Sequence, residues 1–131
     1  MSEERARFLE IHPDEYRLVV PRTARVYALG LAAPLTEVWV VLHGFSQLAV
    51  KFIRWFAPAV RPGRAVVAPE ALNRYYTNTE RRQVGTTWMT AEDREAEIHD
   101  YVEAVKWLRR QPWVDSTRIC ITGASYGGYV T

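Results

Sequence analysis

Residues 118–128 read R-I-C-I-T-G-A-S-Y-G-G, and the reading of the fold turns on this stretch. Ile119, Ile121 and Thr122 are β-branched and specify a short strand, expected over 118–122. The glycines at 123 and 127 then permit a turn so tight that a Cβ at either position would meet neighbouring backbone. Such a strand-to-helix turn lifts the Ser125 hydroxyl clear of the sheet, and a helix starting at Tyr126 would aim its first amides at whatever Ser125 attacks. The pattern points to Ser125 as a nucleophile rather than a turn serine.

Upstream, the chain alternates strands and helices. Glu37–Leu42 is a continuous apolar run of the kind expected for a central parallel strand covered on both faces, and it ends at His43-Gly44-Phe45. Leu48, Ala49, Phe52, Ile53 and Phe56 recur at helical spacing, with Ser46 as N-cap and Pro58 near the end, which gives a first crossover helix. Pro62-Gly63 turns the chain into a second buried strand, Ala65–Ala68, ending at Pro69-Glu70. Residues 73–87 lack periodicity and are expected to form a long loop. Thr90 to Asp93 offer a capping-box-like start to a helix that runs to about Gln111, where Pro112 stops it. Nearer the amino terminus, Tyr16–Val20 and Ala24–Leu29 flank Pro21-Arg22-Thr23 and read as a hairpin or a pair of edge strands.

The expected fold class is therefore α/β: one domain over 1–131, with a mostly parallel sheet, crossover helices and an amino-terminal hairpin. At 131 residues the chain can bury a genuine core, and a net charge of +2 gives no basic stripe for nucleic acid, since Arg81-Arg82 and Arg109-Arg110 are isolated pairs. The charged opening M-S-E-E-R-A-R is unlike a signal peptide, and no apolar run is long enough to span a membrane. A cytoplasmic protein is expected. Cys120, the single cysteine, falls in the last strand and is expected to be buried and structural, without a disulfide. His12, His43 and His99 lack metal-ligand spacing, so no metal site is expected.

The amide of Tyr126 and that of Phe45, on the loop after the first central strand, are the two expected donors of an oxyanion hole. His43 itself reads better as a satisfied turn residue than as a base. Trp88, Tyr75 and Tyr76 would line an acyl or aromatic substrate pocket or pack the core, and the sequence leaves both open. Asp115 precedes Ser125 and reads as a turn residue, and His99 as a polar helix position.

With these residues in place, the chain resembles the amino-terminal half of an α/β hydrolase. From 38 to 101 the strings V-V-L-H-G-F-S-Q, V-V-A-P-E-A-L and T-W-M-T-A-E-D-R-E-A-E-I resemble the phospholipase/carboxylesterase family, which includes acyl-protein thioesterases. From 102 to 131 the elbow G-A-S-Y-G-G-Y and the helix before it resemble the prolyl oligopeptidase family. The first resemblance implies hydrolysis of small-molecule carboxylesters or thioesters through an acyl-enzyme on Ser125, without a cofactor, and matches Trp88 to a substrate-facing tryptophan. The second implies a serine peptidase. In the α/β-hydrolase chain order the triad Asp and His follow the serine. Only six residues follow Ser125, so these 131 residues are expected to be catalytically incomplete. The remaining alternative is a non-catalytic interaction module or a split-protein half, associating with another chain through the open edge of its last strand.

Overall fold

A computed structural model describes residues 2–32, 34–88 and 98–123. The elements are α1 (Glu3–Leu9), β1 (Val26–Leu29), β2 (Glu37–Leu42), α2 (Ala49–Phe52), β3 (Arg64–Pro69), β4 (Asn73–Asn78), β5 (Gln83–Thr87), α3 (Ile98–Arg109) and β6 (Ile119–Gly123), with a 3-10 segment over Ile53–Ala59.

Apolar runs built from Val, Ile and Ala become the centre of a four-stranded sheet ordered β1-β3-β2-β6. β2 pairs in parallel with β3 on one side and β6 on the other, while β1 closes the far edge antiparallel to β3. The sheet is mixed, has few helices around it, and is consistent with part of an α/β-hydrolase fold. The strand period of two then sorts side chains into two cores. Val38, Val40, Leu42 and Val67 face Leu108 of α3 and Trp88, whereas Val41, Val66 and Ala68 face Ala49, Phe52 and Ile53. Helical layers thus cover both faces, which is why β2 carries no alternation of polar residues.

Glu37 ties the amino ends of β2 and β3. Its carboxylate accepts from Trp39 Nε1 and from Arg64 Nε, each at 2.9 Å, and the Arg64 guanidinium lies 4.5 Å from the Trp39 ring centre. The Trp39 hydrogen bond first, then that of Arg64, holds the Glu37 carboxyl below its ordinary value.

The strands expected at 37–42, 65–68 and 118–122 are present within a residue or two, and α3 ends close to the expected position. Other expectations change. Residues 16–20 form no strand and no amino-terminal hairpin exists among the described residues. Tyr16 is 88% and Val19 98% exposed, so no layer rewards ordering them, and β1 instead takes its pairing from β3. The loop expected over 73–87 is the β4–β5 hairpin, with a register shift between Tyr76 and Asn78. Its β-branched and aromatic content supports strands, and the bulge removes the alternation that would have revealed them. The crossover helix is one α-turn continued as a 3-10 segment, because Pro58 cannot donate to an α-helical ladder. Its N-cap is Leu48 and not Ser46. Cys120 is exposed rather than buried, since β6 lies at the end of the described sheet. The capping-box residues 90–93 lie outside the described residues.

Among the described residues, no helix is long and apolar enough to cross a membrane. Leu42→Ala, at a fully buried position, is expected to lower unfolding free energy by about 2–5 kcal/mol in urea titration. Val19→Ser, at an exposed one, should change it by less than about 0.5 kcal/mol.

Candidate functional site

β2 and β6 are in register up to Leu42 opposite Gly123, so the loop that begins at His43 leaves the sheet beside the carboxyl end of β6. Ser125 and Tyr126 lie outside the described residues. What the structure does define is the neighbouring loop, from His43 to Leu48, at the carboxyl end of β2.

His43 is fully buried and fastens this loop. Its Nδ1 faces the Gly44 carbonyl at 2.8 Å, which can only accept, and its Nε2 faces the Ala71 amide at 3.0 Å, which can only donate. The ring is therefore neutral, with its proton on Nδ1. Its carbonyl accepts from Trp88 Nε1 at 2.8 Å, and the two rings stack with centres 4.8 Å apart. Burial lowers the affinity of His43 for a proton, against the Gly44 hydrogen bond and the Glu70 charge, which raise it. With both nitrogens occupied and no access to solvent, His43 is a structural residue and not a base.

The next residues are held almost atom by atom. The Gln47 side-chain oxygen accepts from the Gly44 amide at 2.6 Å, and the Gln47 amide donates back to the Gly44 carbonyl at 3.3 Å. Ser46 donates its amide to the Thr86 carbonyl at 2.9 Å, while Thr86 gives its amide and hydroxyl to the Gln47 carbonyl at 3.2 and 2.6 Å. Ser46 sits in left-handed backbone (φ 63°), a cost of about 1–3 kcal/mol met by these bonds and by one between its hydroxyl and that of Tyr75. Gly85 is required here, because a Cβ on it would lie 2.7 Å from the Ser46 carbonyl oxygen. After all of this, the Phe45 amide has no acceptor among the described residues. Its ring is 62% exposed and stands 6.0 Å from that of Tyr75.

Glu70 anchors the same loop from the end of β3. Its nearly buried carboxylate accepts from the Ala49 amide at 3.1 Å and pairs with Arg74, so it does the capping expected of Ser46. Sequence reading missed Glu70, Gln47 and Thr86. The available signal was a carboxylate directly after an apolar strand, at the sheet edge where sites form.

Of the aromatic residues expected near substrate, Trp88 is buried in the core and also borders a cavity of about 710 Å³. Tyr75 adjoins Phe45 and Ser46, and Tyr76 is exposed. Asp115 lies before the amino end of β6 and caps its own turn, accepting from the Thr117 amide at 3.0 Å and hydroxyl at 2.7 Å. The hydroxyl bond chiefly holds its carboxyl below the usual range, and its place in the fold is that of a turn residue. Among the described residues no group of His, Cys, Asp and Glu is placed to hold a metal ion.

Residues 81–131 match the prolyl oligopeptidase family. Over 34 residues the chain is 53% identical to "Inactive dipeptidyl peptidase 10" of Mus musculus, and over 35 residues 49% identical to "Probable dipeptidyl-aminopeptidase B" of Trichophyton verrucosum (strain HKI 0517). These alignments take in 26% and 27% of this chain and 4% of each relative. The likeness is thus to serine peptidases of the hydrolase type. It begins at 81, well before the expected boundary near 102, and so takes in residues 81–101 of the stretch expected to be carboxylesterase-like.

Because neutral His43 binds its proton less readily in the folded chain than its ordinary value of 6.5, the unfolded chain holds more protons below that pH. Stability should therefore be constant above about pH 6.5 and fall as pH drops from there through the lowered folded value. His43→Phe should remove this component, seen as a smaller difference in urea midpoint between pH 7.5 and pH 5.

Proposed function

We propose that the chain carries the nucleophile and oxyanion wall of a serine hydrolase active site of the prolyl oligopeptidase type. Ser125 Oγ attacks the carbonyl carbon of a peptide bond, its proton leaves to a base, and the negative charge that develops on oxygen is held by the Phe45 and Tyr126 amides. Collapse of this intermediate breaks the C–N bond, the departing amine takes a proton, and water hydrolyses the acyl-enzyme to regenerate Ser125. The observation that carries the reading is an acceptor-free Phe45 amide on a loop rigidly held beside β6, in a chain whose elbow segment matches that family. Neither His43 nor Asp115 qualifies as the triad base or acid, and these two roles are assigned to no residue here.

The strings at 40–47 and 66–72 favour a second reading, cleavage of carboxylesters or thioesters by the same acyl-enzyme route. An oxygen or sulfur leaving group needs less help than an amine, so the same wall serves both. One relative's name says inactive and the other's says aminopeptidase. Local likeness is therefore compatible with a silent site, and the reactivity of Ser125 decides.

Intact mass after treatment with a fluorophosphonate should show one adduct that is absent from Ser125→Ala. Phe45→Pro, which removes the amide, should slow labelling about 100-fold or more with the circular dichroism unchanged. Labelling that Ser125→Ala retains, or that Phe45→Pro leaves at full rate, overturns the catalytic reading; a folded chain that takes no adduct would mean that the scaffold is kept without a base to activate Ser125. Labelled protein that cleaves short-chain esters and leaves proline-containing peptide amides intact would establish the second reading over the first.

A further inference from the structure

Among the described residues, two that are not glycine adopt left-handed backbone: Ser46 at φ 63° and Arg82 at φ 51°. Both line one groove of about 680 Å³, between the loop after β2, the start of the crossover and the turn of the β4–β5 hairpin. Strain of this kind persists where surrounding structure enforces it, and it concentrates at ligand sites. At Arg82 a glycine would adopt the same backbone without cost, yet the position carries a long cationic side chain.

The chemistry of the walls is one-sided. Lys51 and Arg82 bring two positive charges, and no carboxylate lines the groove. Neither cation forms an ion pair among the described residues, whereas Arg61, Arg64, Arg74 and Arg118 each have a carboxylate partner. The Trp55 indole, 82% exposed, stands in the same wall, with the buried Phe52 beneath. A concave surface with charge of one sign draws in the opposite one, and a guanidinium fork matches a carboxylate. An exposed indole face adds a surface for an aliphatic stem.

We propose that this groove is a carboxylate-selective subsite, which receives an acidic group of a peptide between Arg82 and Lys51 with its stem against Trp55. Binding depends on the groove alone. Its catalytic meaning rests on the function proposed above: Ser46, which lines the groove, directly follows Phe45 in the chain, so an acid bound here would favour acidic peptides at that site. The carboxylate has two sources, an acidic side chain or a peptide's carboxyl terminus, and they can be told apart.

The full chain would be titrated with N-acetylglutamate N-methylamide, which has only a side-chain acid, with N-acetylalanine, which has only a terminal one, and with neutral N-acetylglutamine N-methylamide. The readout is proton–nitrogen NMR shifts of the Trp55 indole and the Ser46 and Arg82 amides. At least one acid should bind at least ten-fold more tightly than the neutral compound, and the stronger acid identifies the source. Lys51→Gln and Arg82→Gln should each weaken it at least five-fold, as should 0.5 M salt. Arg82→Gly is the sharpest arm: relief of strain should raise the thermal midpoint while affinity falls, which a purely structural arginine would not do. Equal binding of the neutral compound, no binding by either acid, or full affinity in the Lys51→Gln/Arg82→Gln double variant would overturn the proposal. Ser125→Ala should leave these titrations unchanged. Intact acid binding alongside labelling that survives Ser125→Ala would sink the hydrolase reading and leave the groove standing.

Discussion

The loop that defines this site depends on a histidine buried in the neutral state. His43 joins the end of β2 to Ala71 after β3 through one nitrogen, to its own loop through the other, and to Trp88 through its carbonyl and its ring. Three elements that are distant in sequence meet at one side chain. A buried imidazole is tolerable only when each nitrogen is satisfied in a single protonation state, so the tautomer and the geometry fix each other. From that point the Gly44 to Gln47 backbone has little freedom, and the Phe45 amide is left without an acceptor among the described residues.

Two carboxylates brace opposite ends of the sheet, in different ways. Glu37 works at the exposed amino ends of β2 and β3, where it gathers Trp39 and Arg64. Glu70 works in the interior at the carboxyl end, where it satisfies the Ala49 amide and pairs with Arg74. An unpaired carboxylate in that second position would be costly, so Arg74 at the start of the hairpin is as much a part of the loop's support as Glu70. The hairpin is thereby tied into the site from both sides, through Arg74 and through Thr86. That explains why a segment with little core of its own is ordered, and why Gly85 must lack a side chain.

The likeness to prolyl oligopeptidases falls on residues 81–131, which include Ser125 and β6, and the described geometry defines the loop from His43 to Leu48 that leaves β2 beside the end of β6. These are independent observations that meet at one edge of the sheet. The matched part amounts to 4% of the length of each curated relative, so the activity of such a whole protein enters here only as a proposal.

The central strands and the place of the first crossover were legible in the sequence, because each is encoded locally. An apolar run such as 37–42 has nowhere to go but the middle of a covered sheet. The satisfied role of His43 could be weighed from its place after a strand. What the sequence could not show was pairing. Residues 16–20 have the composition of a strand and none of its partners, while 73–87 hide two strands behind a bulge and a polar composition. The side-chain acceptor at the start of α2 is not Ser46 but the Glu70 carboxylate, twenty-one residues beyond the Ala49 amide it accepts from, and Cys120 became exposed because its strand lies at the end of the described sheet. Composition and period are properties of a segment, and the sequence determined those; partners, exposure and hydrogen-bond satisfaction are properties of what lies across from it, and only the tertiary structure decided them.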